Sequence, residues 1–337
     1  MLRRILKDNF SWVLTPRDRI LSAISEDSIN WKRERGVRIG VGGNHKIDMA
    51  YYQFVHRPEP LDGLWEMFYQ AGISHNGLWK NAIYSAQSKN GLDWIKNDQA
   101  ILSNGSSELN HSQTRAPFLV DFGSYWRMYF SAKGADGIFR ILSAVSVDRI
   151  NWEIEEGVRI SPEQISTELS PASGVSDTAI VELPSGEYRM YFTVYRQTEW
   201  FQEICSALSH DGIVWHMEAG VRIKMGGEGF RTIANNPSVI KTWDGYRMYF
   251  RGGNLLPIWN NIFTAFSNDG INWTIEGSAL IFLRWHRYER HAVAFPYVLP
   301  IEDNKYRMYY TGYWGHLVDR PIIKHYEKLG KQQGISI

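Results

Sequence analysis

Ser267-Asn-Asp-Gly-Ile-Asn-Trp273 decides the fold, because the chain repeats this stretch with variations five times. The other copies are Ser25-Glu-Asp-Ser-Ile-Asn-Trp31, Ser88-Lys-Asn-Gly-Leu-Asp-Trp94, Ser146-Val-Asp-Arg-Ile-Asn-Trp152 and Ser209-His-Asp-Gly-Ile-Val-Trp215. Their tryptophans stand 63, 58, 63 and 58 residues apart. An Asp or Asn four residues before the Trp, often followed by Gly, is the chemistry of a tight hairpin whose glycine supplies a positive φ. Strand-like runs flank each copy, as in Ile141-Leu-Ser-Ala-Val-Ser146. Self-similarity at such a period is the mark of a repeat architecture.

A second hairpin lies between these copies, built on Trp65-Glu-Met-Phe-Tyr69, Trp126-Arg-Met-Tyr-Phe130, Tyr188-Arg-Met-Tyr-Phe192, Tyr246-Arg-Met-Tyr-Phe250 and Tyr306-Arg-Met-Tyr-Tyr310. Aromatic and Met residues occupy both alternating faces of these strands, so each sheet is expected to be covered on both sides. Four-stranded sheets packed radially satisfy that requirement. The chain therefore reads as an all-β, five-bladed β-propeller of antiparallel blades, one domain over 1–337 with short extensions at about 1–18 and 320–337. The first hairpin, residues 19–38, has no strand pair before it, and the last pair, residues 293–312, has no hairpin after it. Each is expected to complete the other, closing the ring without orphan edges.

Composition narrows the function. Lys and Arg total 37 against 36 Asp and Glu, a net charge of +1, so no global field favours nucleic acid or an anionic membrane. No apolar run reaches membrane-spanning length, and Lys7 and Asp8 interrupt the start before a signal-like apolar segment forms. The lone Cys205 excludes an internal disulfide and fits a reducing compartment, so cytoplasm is the default expectation. It sits in a strand-like run and reads as a small buried apolar residue. No metal-ligand spacing or phosphate loop stands out, so no metal or cofactor is expected.

Long polar and aromatic connections, among them residues 103–115, 161–176, 193–203, 224–235, 251–261 and 283–291, should gather on one end of the ring. The chemistry is expected there, at the mouth of the axis. In this respect the chain resembles the five-bladed superfamily of glycoside hydrolase families 43, 32, 62, 68 and 130, through its five Ser-to-Trp hairpins and its Tyr-Arg-Met-Tyr strands. In those families acidic residues near the innermost strand starts serve as base or nucleophile and as acid. The resemblance implies Asp48, in Ile47-Asp48-Met49-Ala50, as base or nucleophile, and Asp177, in Ser176-Asp177-Thr178-Ala179, as acid. Cleaving a glycoside needs such a pair, held roughly 5–10 Å apart. The chain departs from the family where Ala116-Pro117-Phe118 replaces Ala-Pro-Asp, and where the third-blade Glu-Gly-Pro or Glu-Cys-Pro signature is missing. Asn235-Asn236-Pro237 and Ala294-Phe295-Pro296 carry no acid in the fourth and fifth blades.

Basic and imidazole residues crowd the same rim: Arg115, Arg231, Arg251, Arg290 and His291, with Glu289 among them. Together with Asn235 they are substrate-binding candidates, and arginine forks of this kind grip carboxylate or phosphate. Tyr195 and Trp314 are candidate stacking platforms for a sugar ring. The leading expectation is a carbohydrate-active, glycoside hydrolase-like enzyme for a small glycoside or sugar conjugate. Two alternatives stay open: a propeller enzyme that lost the glycosidase motifs and catalyses another reaction, and a glycan-binding propeller without catalysis.

Overall fold

The computed structural model describes residues 18–41, 49–58, 63–75, 78–105, 107–165, 171–196, 201–228, 230, 232–254, 259–277, 289 and 292–313. Its strands, in chain order, are β1 (Arg19–Ser25), β2 (Lys32–Arg33), β3 (Met49–His56), β4 (Trp65–His75), β5 (Leu78–Ser88), β6 (Ile95–Lys96), β7 (Leu102–Ser103), β8 (Gln113–Asp121), β9 (Trp126–Lys133), β10 (Phe139–Ser146) and β11 (Glu153–Ile154). They continue with β12 (Ala172–Glu182), β13 (Tyr188–Arg196), β14 (Phe201–Ser209), β15 (His216–Met217), β16 (Ile233–Thr242), β17 (Gly245–Asn254), β18 (Trp259–Ser267), β19 (Thr274–Ile275), β20 (Ala292–Glu302) and β21 (Lys305–Tyr313). No helix among the described residues is long and apolar enough to cross a membrane.

The antiparallel pairings give four-stranded units β3–β6, β8–β11, β12–β15 and β16–β19. A further unit joins the two ends of the chain, in the order β2-β1-β21-β20. Ala23 stands opposite Met308, which in turn faces Val298, so residues 19–38 do supply the outer strands for residues 293–312. The first strands of the units touch in cyclic succession: β3 with β8, β8 with β12, β12 with β16, β16 with β20, and β20 with β3.

The repeated motifs serve as latches between units. Tyr129 Oη donates to the Gly212 carbonyl at 2.7 Å, Tyr191 to Gly270 at 2.8 Å, Tyr249 to Ser28 at 2.8 Å and Tyr309 to Gly91 at 2.7 Å. In each case the phenol reaches from a second strand into the Ser-to-Trp hairpin of the next unit, and the hairpin's Trp packs edge-on against that same Tyr ring. A side chain on Gly212 would collide with Tyr129 Oη at 2.5 Å, which explains the glycine there.

One junction departs from this pattern. Arg127, Arg189, Arg247 and Arg307 on second strands pair with Glu155, Glu218, Glu276 and Glu34 of their own units. At the same place β4 carries Glu66, the partner position carries Asn97, and Glu66 instead binds Arg149 of the neighbouring hairpin at 2.6 Å. Arg149 stands where three of the other copies have Gly and one has Ser28, at φ 59°, and Tyr69 Oη has no partner among the described residues. The ion pair replaces the phenol latch.

Candidate functional site at the centre of the ring

Every first strand carries an irregularity at the same height. The register slips between Tyr51 and Phe54, Arg115 and Phe118, Ser176 and Thr178, Asn235 and Ser238, and Ala294 and Tyr297. At each slip one non-glycine residue adopts a left-handed backbone: Tyr52 (φ 55°), Ala116 (54°), Asp177 (55°), Asn236 (53°) and Phe295 (53°). Such a conformation costs an L-residue ~1–2 kcal/mol, and bulges of this kind re-aim side chains. These five residues line one small cavity of about 40 Å³, together with Gln53, Pro117, Phe118, Thr178, Pro237, Pro296 and Tyr297.

Asp177 therefore lies inside β12 on a bulge, and not at a strand start as its sequence context suggested. Arg115 and Asn235 likewise fall within β8 and β16, because polar residues beyond the bulge go on pairing. The position in β3 that corresponds to Asp177 is Tyr52. Asp48, Arg231, Arg290, His291 and Trp314 lie outside the described residues.

The Asp177 carboxyl is 4% exposed and accepts from Asn236 Nδ2 at 2.7 Å. Its backbone N–H donates to Ser131 Oγ of the neighbouring unit at 3.0 Å, as Asn236 N–H does to Thr193 Oγ1 at 3.2 Å. Burial pushes its pKa up, opposed first by the Arg115 charge, then by the Ser176 and Thr193 hydroxyls and by Arg251. Arg115 donates to Tyr195 Oη, whose oxygen is 2.6 Å from Ser176 Oγ, and its guanidinium lies 3.8 Å from the Phe139 ring centre and 5.5 Å from that of Tyr52. Arg251 stacks 5.8 Å from the Phe295 ring centre. Asn235 Nδ2 donates to Gln202 Oε1.

Around the axis the site thus divides into two walls. Tyr51, Tyr52, Phe295 and Tyr313 pack ring against ring, with Tyr52 and Phe295 centres 3.9 Å apart. Asp177, Asn236, Arg115, Ser176, Tyr195, Asn235 and Arg251 form the polar wall. Glu289 belongs to neither wall. It is 1% exposed, held by Arg33 Nε at 2.8 Å and by Tyr310 Oη at 2.7 Å. Sequence reading overlooked the aromatic wall, although the pair Tyr51-Tyr52 and the Phe295-Pro296 step were visible in it. Cys205 is buried, its thiol pushed up to about 11 by desolvation.

No known protein family matches the sequence, and neither does any curated protein. Solved structures do match. The β-1,2-mannobiose phosphorylase from Listeria innocua aligns with TM-score 0.64 at 12% identity, covering 80% of this chain and 92% of that one. A glycoside hydrolase aligns with TM-score 0.63 at 16% identity, over 91% and 94% of the two chains. A thermostable family-43 glycoside hydrolase aligns with TM-score 0.60 at 15% identity, over 78% and 88%. The chain shares its all-β fold with these enzymes.

Proposed function

We propose that the five units are the blades of a single propeller domain and that the chain is a carbohydrate-active enzyme of glycoside hydrolase type. Its substrate is a small glycoside or sugar conjugate bearing an acidic group, taken at the mouth above the axial cavity. The observation that carries this reading is Asp177: one carboxyl, buried on a strained bulge, its pKa raised by burial, with Arg115 and Arg251 acting on it from the polar wall. A raised pKa favours the protonated form of the carboxyl, the form that can protonate a leaving glycosidic oxygen. Asp48, four residues before Tyr52, is the proposed base or nucleophile. The aromatic wall offers ring faces to the apolar side of a sugar, and the two guanidinium groups supply charge for its acidic group. The reaction is placed in the cytoplasm.

The test is turnover of a panel of 4-nitrophenyl glycosides and neutral and uronate-containing oligosaccharides, with and without inorganic phosphate. Wild type is expected to cleave an acidic member, and Asp177→Asn to lose that activity while remaining folded. Cleavage by Asp177→Asn at the wild-type rate would remove Asp177 from the chemistry. A second reading has its own support: of the five bulge residues Asp177 alone is acidic, where a glycosidase needs two carboxylates. Tight binding of a glycan without cleavage would favour a glycan-binding propeller.

A further inference from the structure

The second and third strands repeat as strictly as the first. Thr311, Gln70, Ser131, Thr193 and Arg251 on second strands stand opposite Ile20, Ile83, Ile141, Ile204 and Ile262, so they are equivalent positions. Two residues before each Ile come Asp18, Asn81, Phe139, Gln202 and Asn260, all buried. Most of these positions are committed to the next first strand. Ser131 Oγ accepts from Asp177 N–H at 3.0 Å, Thr193 Oγ1 accepts from Asn236 N–H at 3.2 Å, and Thr311 Oγ1 donates to Gln53 Oε1 at 3.4 Å. Gln202 accepts from Asn235, Phe139 packs edge-on against Tyr195, and the Asp18 carbonyl accepts from Ala50 N–H at 3.1 Å. In β3–β6 the Asn81 Oδ1 has no partner among the described residues, but Gln70 of the same unit is bonded to Tyr51 Oη at 3.2 Å.

In the unit β16–β19 both positions break the rule. A guanidinium has no lone pair to offer a backbone N–H, so Arg251 cannot act as Ser131 and Thr193 do. Its side chain makes no hydrogen bond or ion pair with a described residue, and its Nε is buried without a partner. It lies 5.8 Å from the Phe295 ring centre of the next first strand. Asn260 is 4% exposed, and its amide also makes no hydrogen bond to a described residue. Arg251, Ile262 and Asn260 share one face of the β17–β18 ladder, because Arg251 pairs with Ile262 and Asn260 pairs with Gly253. Gly253 puts no side chain between them, and diagonal neighbours of this kind stand about 7–8 Å apart. That face looks toward the unit that joins the chain ends, where Ile262 shares an apolar cluster with Val293 and Val298.

We infer that Arg251 and Asn260 form a subsite for a sugar acid, in which Arg251 grips the carboxylate and Asn260 bonds a ring hydroxyl. Leaving a guanidinium nitrogen and an amide buried without partners costs free energy, and a ligand that supplies the partners accounts for their presence. The guanidinium offers donors only and matches the two acceptor oxygens of a carboxylate. An amide both donates and accepts, as a hydroxyl does. A bare carboxylate would satisfy Arg251 and leave Asn260 unbonded, and a neutral sugar would do the reverse. One guanidinium balances one negative charge, whereas a phosphomonoester carries nearly two at neutral pH. The inference rests on the glycan reading above and narrows it, since the acidic group becomes a carboxylate held by the unit β16–β19.

The test is calorimetric titration of the full-length protein with methyl glucuronide and methyl galacturonide, their neutral hexoside counterparts, acetate and glucose 6-phosphate. At least one uronide is expected to bind ~10-fold or more tightly than its neutral counterpart and than acetate, and more tightly than glucose 6-phosphate. Arg251→Thr puts at this position the residue that Thr193 and Thr311 supply in other units. The variant is expected to fold with a Tm no lower than that of the wild type, and its affinity for the uronide to fall to that for the neutral hexoside. Asn260→Ala should weaken uronide and hexoside by the same factor and leave acetate unchanged; should it not fold, Arg251→Thr decides alone. A wild type that does not distinguish uronide from hexoside, a preference that survives Arg251→Thr, or an Arg251→Thr that is destabilised or unfolded overturns the subsite, as does an Asn260→Ala that binds both sugars at wild-type strength. Tighter binding of glucose 6-phosphate overturns the carboxylate. Uronide binding without cleavage of any glycan leaves the subsite in place while the hydrolase reading falls, and cleavage of neutral glycans alone does the opposite, so the two readings fail separately.

Discussion

Asp177→Asn should make the protein more stable at neutral pH, and the sign follows from the site. The protein itself places Asn236 on the equivalent bulge at φ 53°, so an amide fits this backbone, and Asn tolerates the left-handed region better than most residues. Asn236 Nδ2 retains an oxygen acceptor in the variant. Because burial raises the folded-state pKa of Asp177, the native state holds its proton more tightly than the unfolded chain does. Its contribution is therefore fully present below the ordinary Asp range and declines as pH rises toward the folded-state value. Each pKa unit separating the two states is worth ~1.4 kcal/mol. Scaling unfolding entropy to a chain of this length gives roughly 1.4 °C in Tm per kcal/mol, hence about 2 °C per unit. Thermal unfolding of wild type and Asp177→Asn across pH 3–8 should show nearly equal Tm at the acid end and a widening advantage for the variant above pH ~4. An advantage for wild type that grows with pH would mean that Arg115 and Arg251 outweigh burial, and the proton-donor assignment would fall.

Three further outcomes follow from the packing and charge. A double-mutant cycle on Glu66→Gln and Arg149→Gln, read by urea unfolding, should give a coupling of about 1 kcal/mol, since the pair is partly buried; zero coupling would show that this junction does not depend on it. Tyr309→Phe leaves the Gly91 carbonyl without its phenol at the closing junction and should cost ~1–3 kcal/mol by the same measurement, with a cost below a few tenths contradicting the latch. Arg251→Gln should weaken binding of a uronate-containing glycan by about tenfold to a hundredfold and leave neutral glycans unaffected, as calorimetry would show; equal losses for both would place Arg251 in packing alone.

The repeat was legible because hairpin chemistry is local: Ser, Asp or Asn, and Trp mark each turn, and the unmatched half at one end has the motif that the other end lacks. Asp177 was legible through its sequence context. The bulges were not, since an extra residue in a strand leaves no mark in a two-residue alternation, and this put Asp177 at a strand start and Arg115 and Asn235 in the connections before their strands, when all three lie within strands. Asp18 was read as the end of an N-terminal extension because no repeat motif covers it. The pairing of Arg19 with Gly312 shows that Asp18 directly precedes the closing unit's third strand, and Asp18 is buried. Glu289 looked like part of a charged rim, yet its carboxylate is committed to Arg33 and Tyr310, residues that lie far from it in sequence or on another strand.

The most direct test of the account is the pH dependence of kcat/KM on the best glycan of the panel, for wild type and Asp177→Asn. A basic limb set by the raised pKa of Asp177 is predicted for the wild type, with activity of the variant reduced by at least ~100-fold and that limb absent. Wild-type turnover by Asp177→Asn, with the same limb, would contradict it.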